Sequence, residues 1–377
     1  MAQGKGIRQV GYIDCPGGGQ VVVKNGYAYI GSMRAPTGTL IVDVRDPKHP
    51  KEVARLEMPK GTHSHKVRVD GDGGLMVINH EVNQFDTGAP TEFKGGIGIY
   101  DISKPDRPKL ITRWETEGQG VHRFDFDGRY AYLSPTAKGY VGNIVMILDL
   151  ADPAHPKEVG RWWMPGQWVE GGETPTWSGN DFRCHHPLRV GNRLYVSYWH
   201  GGFHILDIDD MTKPKHVSSF NTYPAFPWPT HTCLTLPFLL QNRRIMLLAS
   251  EDAGRARDFY PAFLWVYDIT DEKQPIPFAS YQVEGIDGTF QPEFTGVHQP
   301  SEVVIGTEVP VAWFAYGLRI LDFANPHAPK EVAWFLPDVM DERAKGRVQS
   351  NDVTIDRSNG LIYLLDRIKG CTILERE

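Results

Sequence analysis

Hydrophobic positions fall in short alternating or fully apolar runs, broken every few residues by glycine, proline or aspartate. Lys66-Val67-Arg68-Val69 alternates polar and apolar, and Leu75-Met76-Val77-Ile78 follows directly after an Asp-Gly-rich turn. Such runs, too short for helices and bounded by turn residues, predict β-strands. No segment keeps a helical period beyond a turn or two. A longer regularity overlies the strands. Leu40-Ile41-Val42-Asp43 leads to Asp46-Pro47, Ile99-Tyr100-Asp101 to Lys104-Pro105, and Ile147-Leu148-Asp149 to Asp152-Pro153. Further copies centre on Asp207, Asp268 and Asp322, with Pro214, Pro275 and Pro329 beyond the turn.

The anchor aspartates stand 58, 48, 58, 61 and 54 residues apart. Each interval holds four strand patterns, and that repeat length with that content predicts the blades of a β-propeller. The expected fold is all-β, one domain over residues 1–377, a seven-bladed propeller. A last degenerate copy reaches Glu375 with three strands, and the N-terminal Ile7 to Ile13 is expected to supply its fourth and close the ring. Each anchor Asp is expected to accept backbone N–H groups of its turn, while proline fixes φ there. The rival architectures are an open solenoid or two β-sandwiches.

Composition narrows the function. The formal charge is −6, with 40 Lys and Arg against 46 Asp and Glu, which gives no basic footprint for nucleic acid. Four cysteines, Cys15, Cys184, Cys233 and Cys371, lack a Cys-x-x-Cys spacing and fit free thiols in a reducing compartment, with long-range disulfides as the alternative. No segment has the apolar length of a membrane helix and the first residues lack a signal-peptide core, so a cytoplasmic protein is expected, without membrane partner and with homo-oligomerisation left open. Gly17-Gly18-Gly19 lacks nucleotide-binding spacings.

A second regularity appears when repeats are aligned on their first strand. His65, His122, His186, His231 and His298 open it in successive copies, with Asn351 in the last, and His63 stands two residues before His65. In a propeller these positions ring the central channel, so the five imidazoles are expected to converge on a transition metal, Fe(II) ahead of Cu, Mn or Zn. His122, His186, His231 and His298 are the preferred ligands. The bland reading is a structural cap repeated in every blade. Glu81, His200 and Glu251 end the second strands and are expected to orient the ligands or move protons.

The longer connections, such as residues 164–183 and 282–297, are expected over one mouth of the channel. They carry Trp168, Trp177, Phe226, Trp228, Phe259, Tyr260 and Phe290, which favours an apolar or aromatic small-molecule substrate. On the strength of Leu40-Ile41-Val42-Asp43 and its copies, the chain resembles the LVIVD-repeat propeller proteins, a resemblance that implies the fold and carries no catalytic residue across. In architecture alone, the histidine ring is similar to the carotenoid oxygenase propellers, with iron on four histidines, and to the selenium-binding or methanethiol oxidase propellers, associated with copper. That likeness implies metal chemistry, an oxidoreductase or a lyase. The alternative is a non-enzymatic scaffold that binds a protein partner through its loop-rich face. A metal-independent lyase or isomerase using His200 and Glu81 is a third reading.

Overall fold

The computed structural model describes residues 2–70, 72, 74–83, 86, 88–178, 181–251, 260–284, 295–338, 342–343 and 348–377. Among these residues every regular element is a β-strand. None forms a helix long and apolar enough to cross a membrane. Phe85, Phe259 and Phe290 lie outside the described residues. The chain divides into two compact units, residues 24–43 with 52–221, and residues 1–23 with 44–51 and 222–377.

In the unit built mainly from residues 52–221, four-stranded antiparallel order recurs. Val121–Phe126, Tyr130–Pro135, Val145–Asp149 and Lys157–Trp162 follow one another across a sheet. Leu75–Val82, Gly96–Asp101 and Lys109–Glu115 pair in the same sequence, with Val67–Val69 on the free side of the first. Phe182–Val190 to Lys215–Phe220 repeats it. Burial grades across each sheet. The third strand Val145–Asp149 is covered on both faces, whereas the fourth, Lys157–Trp162, is half-exposed. Neighbouring sheets sandwich the inner strands, so those sequences read as continuous apolar runs and the outer ones as polar alternations. One such layer joins Val77, Ile97 and Ile99 to Phe124, Leu133, Met146 and Leu148.

The other unit repeats the order in Thr230–Leu240 to Ile276–Tyr281 and in Gln299–Pro300 to Lys330–Leu336. Its last sheet runs Ile7–Ile13, Gly370–Arg376, Ile362–Asp366, Ser350–Ile355, so the N-terminal strand lies antiparallel to the C-terminal one. Ile7 is buried there with Leu374, Ile362 and Ile320.

The repeated aspartates act as the turn chemistry requires. Oδ1 of Asp101, Asp149, Asp207, Asp268 and Asp322 each accepts the N–H two residues on, at 2.9 Å. Opposite the third strand, just before the anchor, the fourth strand carries a bulge, at Val159 against Ile147 and Leu148 and at Val217 against Ile205 and Leu206. The bulge supplies local twist and the Asx turn fixes where the strand ends.

Candidate functional site

In five repeats the first strand is broken by a second kind of bulge. Pairing skips between Val121 and Phe124, between Phe182 and His186, between Thr230 and Thr232, and between Ser350 and Asp352. Thr62 and His63 pair with Val82 and Glu81, while Val67 already pairs with Ile78, so residues 64–66 bulge likewise. A bulge leaves its extra residue out of the ladder and re-aims its side chain. His65, His122, His185 and His231 sit here.

Side-chain bonds to the bulge fix the register. Lys66 N donates to Asn79 Oδ1 at 2.8 Å, Arg123 N to Ser134 Oγ at 2.9 Å and His186 N to Ser197 Oγ at 3.1 Å. Lys66, Arg123 and His186 are therefore equivalent, and the residues before them, His65, His122 and His185, form the row. The expected ligand His186 is thus one position out of register. Its Nε2 faces Lys66 Nζ at 3.0 Å, and burial together with Lys66 holds its pKa well below the ordinary value. A bulge adds one residue without altering the flanking alternation, so Cys184-His185-His186 gave no way to choose between its two histidines. The recurring polar residue at Asn79, Ser134 and Ser197 was the available signal.

Around Glu81 three imidazoles gather. His63, His65, His122 and Glu81 each offer a ligand atom, all within 4.8 Å of one another. His63 Nε2 donates to Glu81 Oε2 at 2.7 Å and His122 Nδ1 donates to the same oxygen at 2.8 Å. With its proton on Nδ1, His122 presents the Nε2 lone pair to His185 Nε2 at 3.1 Å, and His185 donates. His63 Nδ1 and His65 Nε2 are buried without a hydrogen-bond partner. Polar atoms left in that condition call for a ligand or an ion. Neighbouring rings stand 4.7 Å apart for His63 and His65 and 4.9 Å for His65 and His122. The His65 backbone leaves no room for a Cβ on Gly31, which would meet its carbonyl at 2.6 Å.

Burial works against ionising Glu81. The charge of His122 and the hydrogen bonds from His122 and His63 outweigh it and hold the carboxyl well below its usual range. Burial likewise pushes the His122 pKa down to about 4, with Glu81 opposing, and it pushes His65 far down, helped by His63 and His122. At neutral pH Glu81 is a carboxylate beside the neutral imidazoles of His65 and His122, the protonation state in which these groups bind transition metals.

The other unit contains a related arrangement. His231 and His298 lie with ring centroids 4.1 Å apart. Glu251 Oε1 stands 3.7 Å from His298 Nε2, and Oε2 stands 4.0 Å from His231 Nε2. Glu251 directly follows the second strand Arg243–Ser250, where its N–H bonds Pro229 O at 2.9 Å, whereas Glu81 is the penultimate residue of Leu75–Val82. His200 does not join the Glu81 group. It follows Trp199 in the turn to Phe203 and touches the Trp199 and Phe182 rings, whereas His185 stacks on Trp199 at 4.8 Å. Trp199 takes φ 53°, an uncommon backbone for an aromatic residue. The Arg183 guanidinium also lies against this ring, 4.8 Å from its centre. Of the loop aromatics, Trp168, Phe226 and Tyr260 are exposed and Trp228 is buried.

The fold has many relatives of known structure. The chain aligns over 98% of its length with the C-terminal WD40 domain of Sif2, covering 97% of that chain at 10% identity and a TM-score of 0.60. The RRP9 WD40 repeats align over 98% of this chain and 96% of theirs, at 10% identity and a TM-score of 0.64. Sqt1 of Saccharomyces cerevisiae aligns over 97% and 86%, at 11% identity and a TM-score of 0.58. Identities this low speak for the fold alone. No curated protein matches by sequence. The LVIVD repeat model matches residues 18–57, 127–163 and 190–222, the segments that hold Asp43, Asp149 and Asp207. The chain thus carries LVIVD repeats on a propeller-type all-β fold.

Proposed function

We propose that this protein is a metal-dependent enzyme, an oxidoreductase or a lyase, that acts on a small apolar or aromatic compound beside a transition metal held by His63, His65, His122 and Glu81. The observation that carries the reading is the buried grouping of four ligand atoms within 4.8 Å. One carboxylate and three imidazoles suit Fe(II), Cu, Mn or Zn, and such an ion polarises a substrate oxygen or activates dioxygen. Glu81 serves as a ligand or as the group that orients His122 through its Nδ1–H, leaving the His122 Nε2 lone pair for the ion. The Trp199 ring beside His185 favours an apolar substrate face. His186 and His200 have no part in this site.

The reading includes a single domain of seven four-stranded blades over residues 1–377. The pairing of Ile7–Ile13 with Gly370–Arg376 supports closure by the N-terminal strand. Four buried free cysteines support a reducing, cytoplasmic setting.

Metal analysis of full-length protein purified without chelator, followed by anomalous scattering at the metal edges, tests the proposal. A near-stoichiometric ion is expected, with affinity reduced about 10–100-fold or more in Glu81→Gln and lost in the His122→Gln, Glu81→Gln double variant. A second reading, a non-enzymatic protein-binding scaffold, draws on the exposed Trp168 and Val169 in a loop braced by Glu173. Metal-free protein with its fold intact, capturing a partner that Trp168→Ala no longer binds, would put that reading first.

A further inference from the structure

Of the four groups gathered at Glu81, His65 differs in where its hydrogen lies. Asn79 decides it. Oδ1 of that amide accepts the Lys66 N–H at 2.8 Å, while Nδ2 donates to Val121 O at 2.8 Å and to His122 O at 3.2 Å, so the amide has one orientation. The same Nδ2 stands 3.3 Å from His65 Nδ1. An amide nitrogen can only donate, so His65 Nδ1 is the acceptor and the neutral ring carries its hydrogen on Nε2. His63 and His122 are the opposite case. Each gives its hydrogen to Glu81 Oε2, from Nε2 and Nδ1 respectively, and keeps a lone pair on its other nitrogen.

His65 Nε2–H is therefore a donor on a residue only 2% exposed, and it has no hydrogen-bond partner. A buried donor in that condition calls for an acceptor. The His65 ring stands between those of His63 and His122, with centroids 4.7 and 4.9 Å away, so its unmet N–H lies among the groups that offer lone pairs. Lone pairs suit an ion and an N–H does not, because the hydrogen occupies the pair a metal needs. To ligate through Nε2, His65 has to carry its hydrogen on Nδ1 instead, pointing at the Asn79 N–H. What fits the arrangement as it stands is an oxygen atom.

We infer that the compound bound at this site carries an acceptor oxygen, a carbonyl above all, which takes a hydrogen bond from His65 Nε2–H while it faces the ion. For the ion, though not for the hydrogen bond, this rests on the reading of the Glu81 group as a metal site. Within that reading His65 is the exchangeable member of the four. His63, His122 and Glu81 hold the ion, and His65 holds the substrate. An ion and a hydrogen bond on one oxygen both draw electron density from the carbonyl carbon, which prepares it for attack. The substrate class narrows accordingly, from apolar or aromatic compounds in general to apolar ketones, aldehydes and amides. A hydrocarbon leaves the His65 donor unmet.

Two measurements on full-length protein test this. In metal-free wild type labelled with nitrogen-15 at histidine, proton–nitrogen NMR reads the tautomer of His65 directly, assigned through its cross-peak to the Asn79 amide. The expected ring has hydrogen on Nε2 and none on Nδ1. Calorimetry then compares acetophenone with ethylbenzene, which differ by the oxygen, in Zn(II)-loaded wild type and His65→Phe. The variant keeps the ring shape and removes the donor. Its affinity for acetophenone falls about 10-fold, while that for ethylbenzene stays close to the wild-type value. Zn(II) is retained in His65→Phe and lost in the Glu81→Gln, His122→Gln double variant. Hydrogen on Nδ1 in wild type, no binding of acetophenone, or equal losses for the two compounds overturns the inference, and with Zn(II) still bound the metal reading stands. Wild type that takes up no Zn(II), yet loses acetophenone selectively in His65→Phe, upholds the hydrogen bond and removes the ion.

Discussion

Glu81 concentrates two imidazole hydrogen bonds on a single oxygen, and this arrangement has a consequence for stability. An unfolded chain protonates His122 near the ordinary imidazole value of 6.5, whereas the folded protein holds it at about 4. Between those values the unfolded state binds more protons, so stability is fully present above about pH 6.5 and is lost as pH falls toward 4. His65, also depressed by burial, acts in the same direction, and Glu81 extends the loss to still lower pH. Thermal unfolding of metal-free protein from pH 7.5 to 4.5 should show a falling midpoint. His122→Gln should flatten that dependence, and an unaltered slope in the variant would remove His122 as a cause.

At the scale of the strand, two irregularities place the chemistry. The first-strand bulge lifts His122 and His231 out of the ladder, and the Asx turn after the third strand, as at Asp149, fixes the far end of the sheet. The turn is open to direct test at Asp149, which accepts Ala151 N at 2.9 Å and pairs with Arg129 at 2.9 and 3.1 Å. Asp149→Ala should destabilise the protein by about 1 kcal/mol in urea unfolding. Asp149→Asn should recover much of that, because its Oδ1 can make the same turn bond. Equal losses in the two variants would assign the effect to the Arg129 pair instead. The turn was legible in the sequence because an Asp with a proline beyond it is local chemistry. The bulge was not, since one extra residue leaves the apolar alternation on either side intact. For that reason the expected row included His186 where the folded strand presents His185.

On the scale of the whole molecule, the two ends of the chain meet in one sheet, where Ile7 and Ile13 are buried against the C-terminal strand and its neighbours. Deleting residues 2–13 should cost more than about 3 kcal/mol, as removal of two buried aliphatic side chains does. It should also expose the edge of Gly370–Arg376 to association with other molecules. Size-exclusion chromatography and thermal unfolding would read both effects, and a monomeric variant with the parental midpoint would contradict them. The sequence alone determined the all-β character, the repeat with its turn aspartates and the placing of histidines where first strands begin. These follow from local rules, the period of two in a strand, the preferences of Asp and Pro, and the spacing of copies. Tertiary structure alone decided that His63 and His122 share Glu81, that His231 and His298 face Glu251, and which ring nitrogen of His63, His65 and His122 carries its proton. Those outcomes depend on partners such as Glu81, 41 residues from His122, and Asn351, 53 from His298. No local pattern encodes such separations, because only the packing of one sheet on the next brings their donors and acceptors into range.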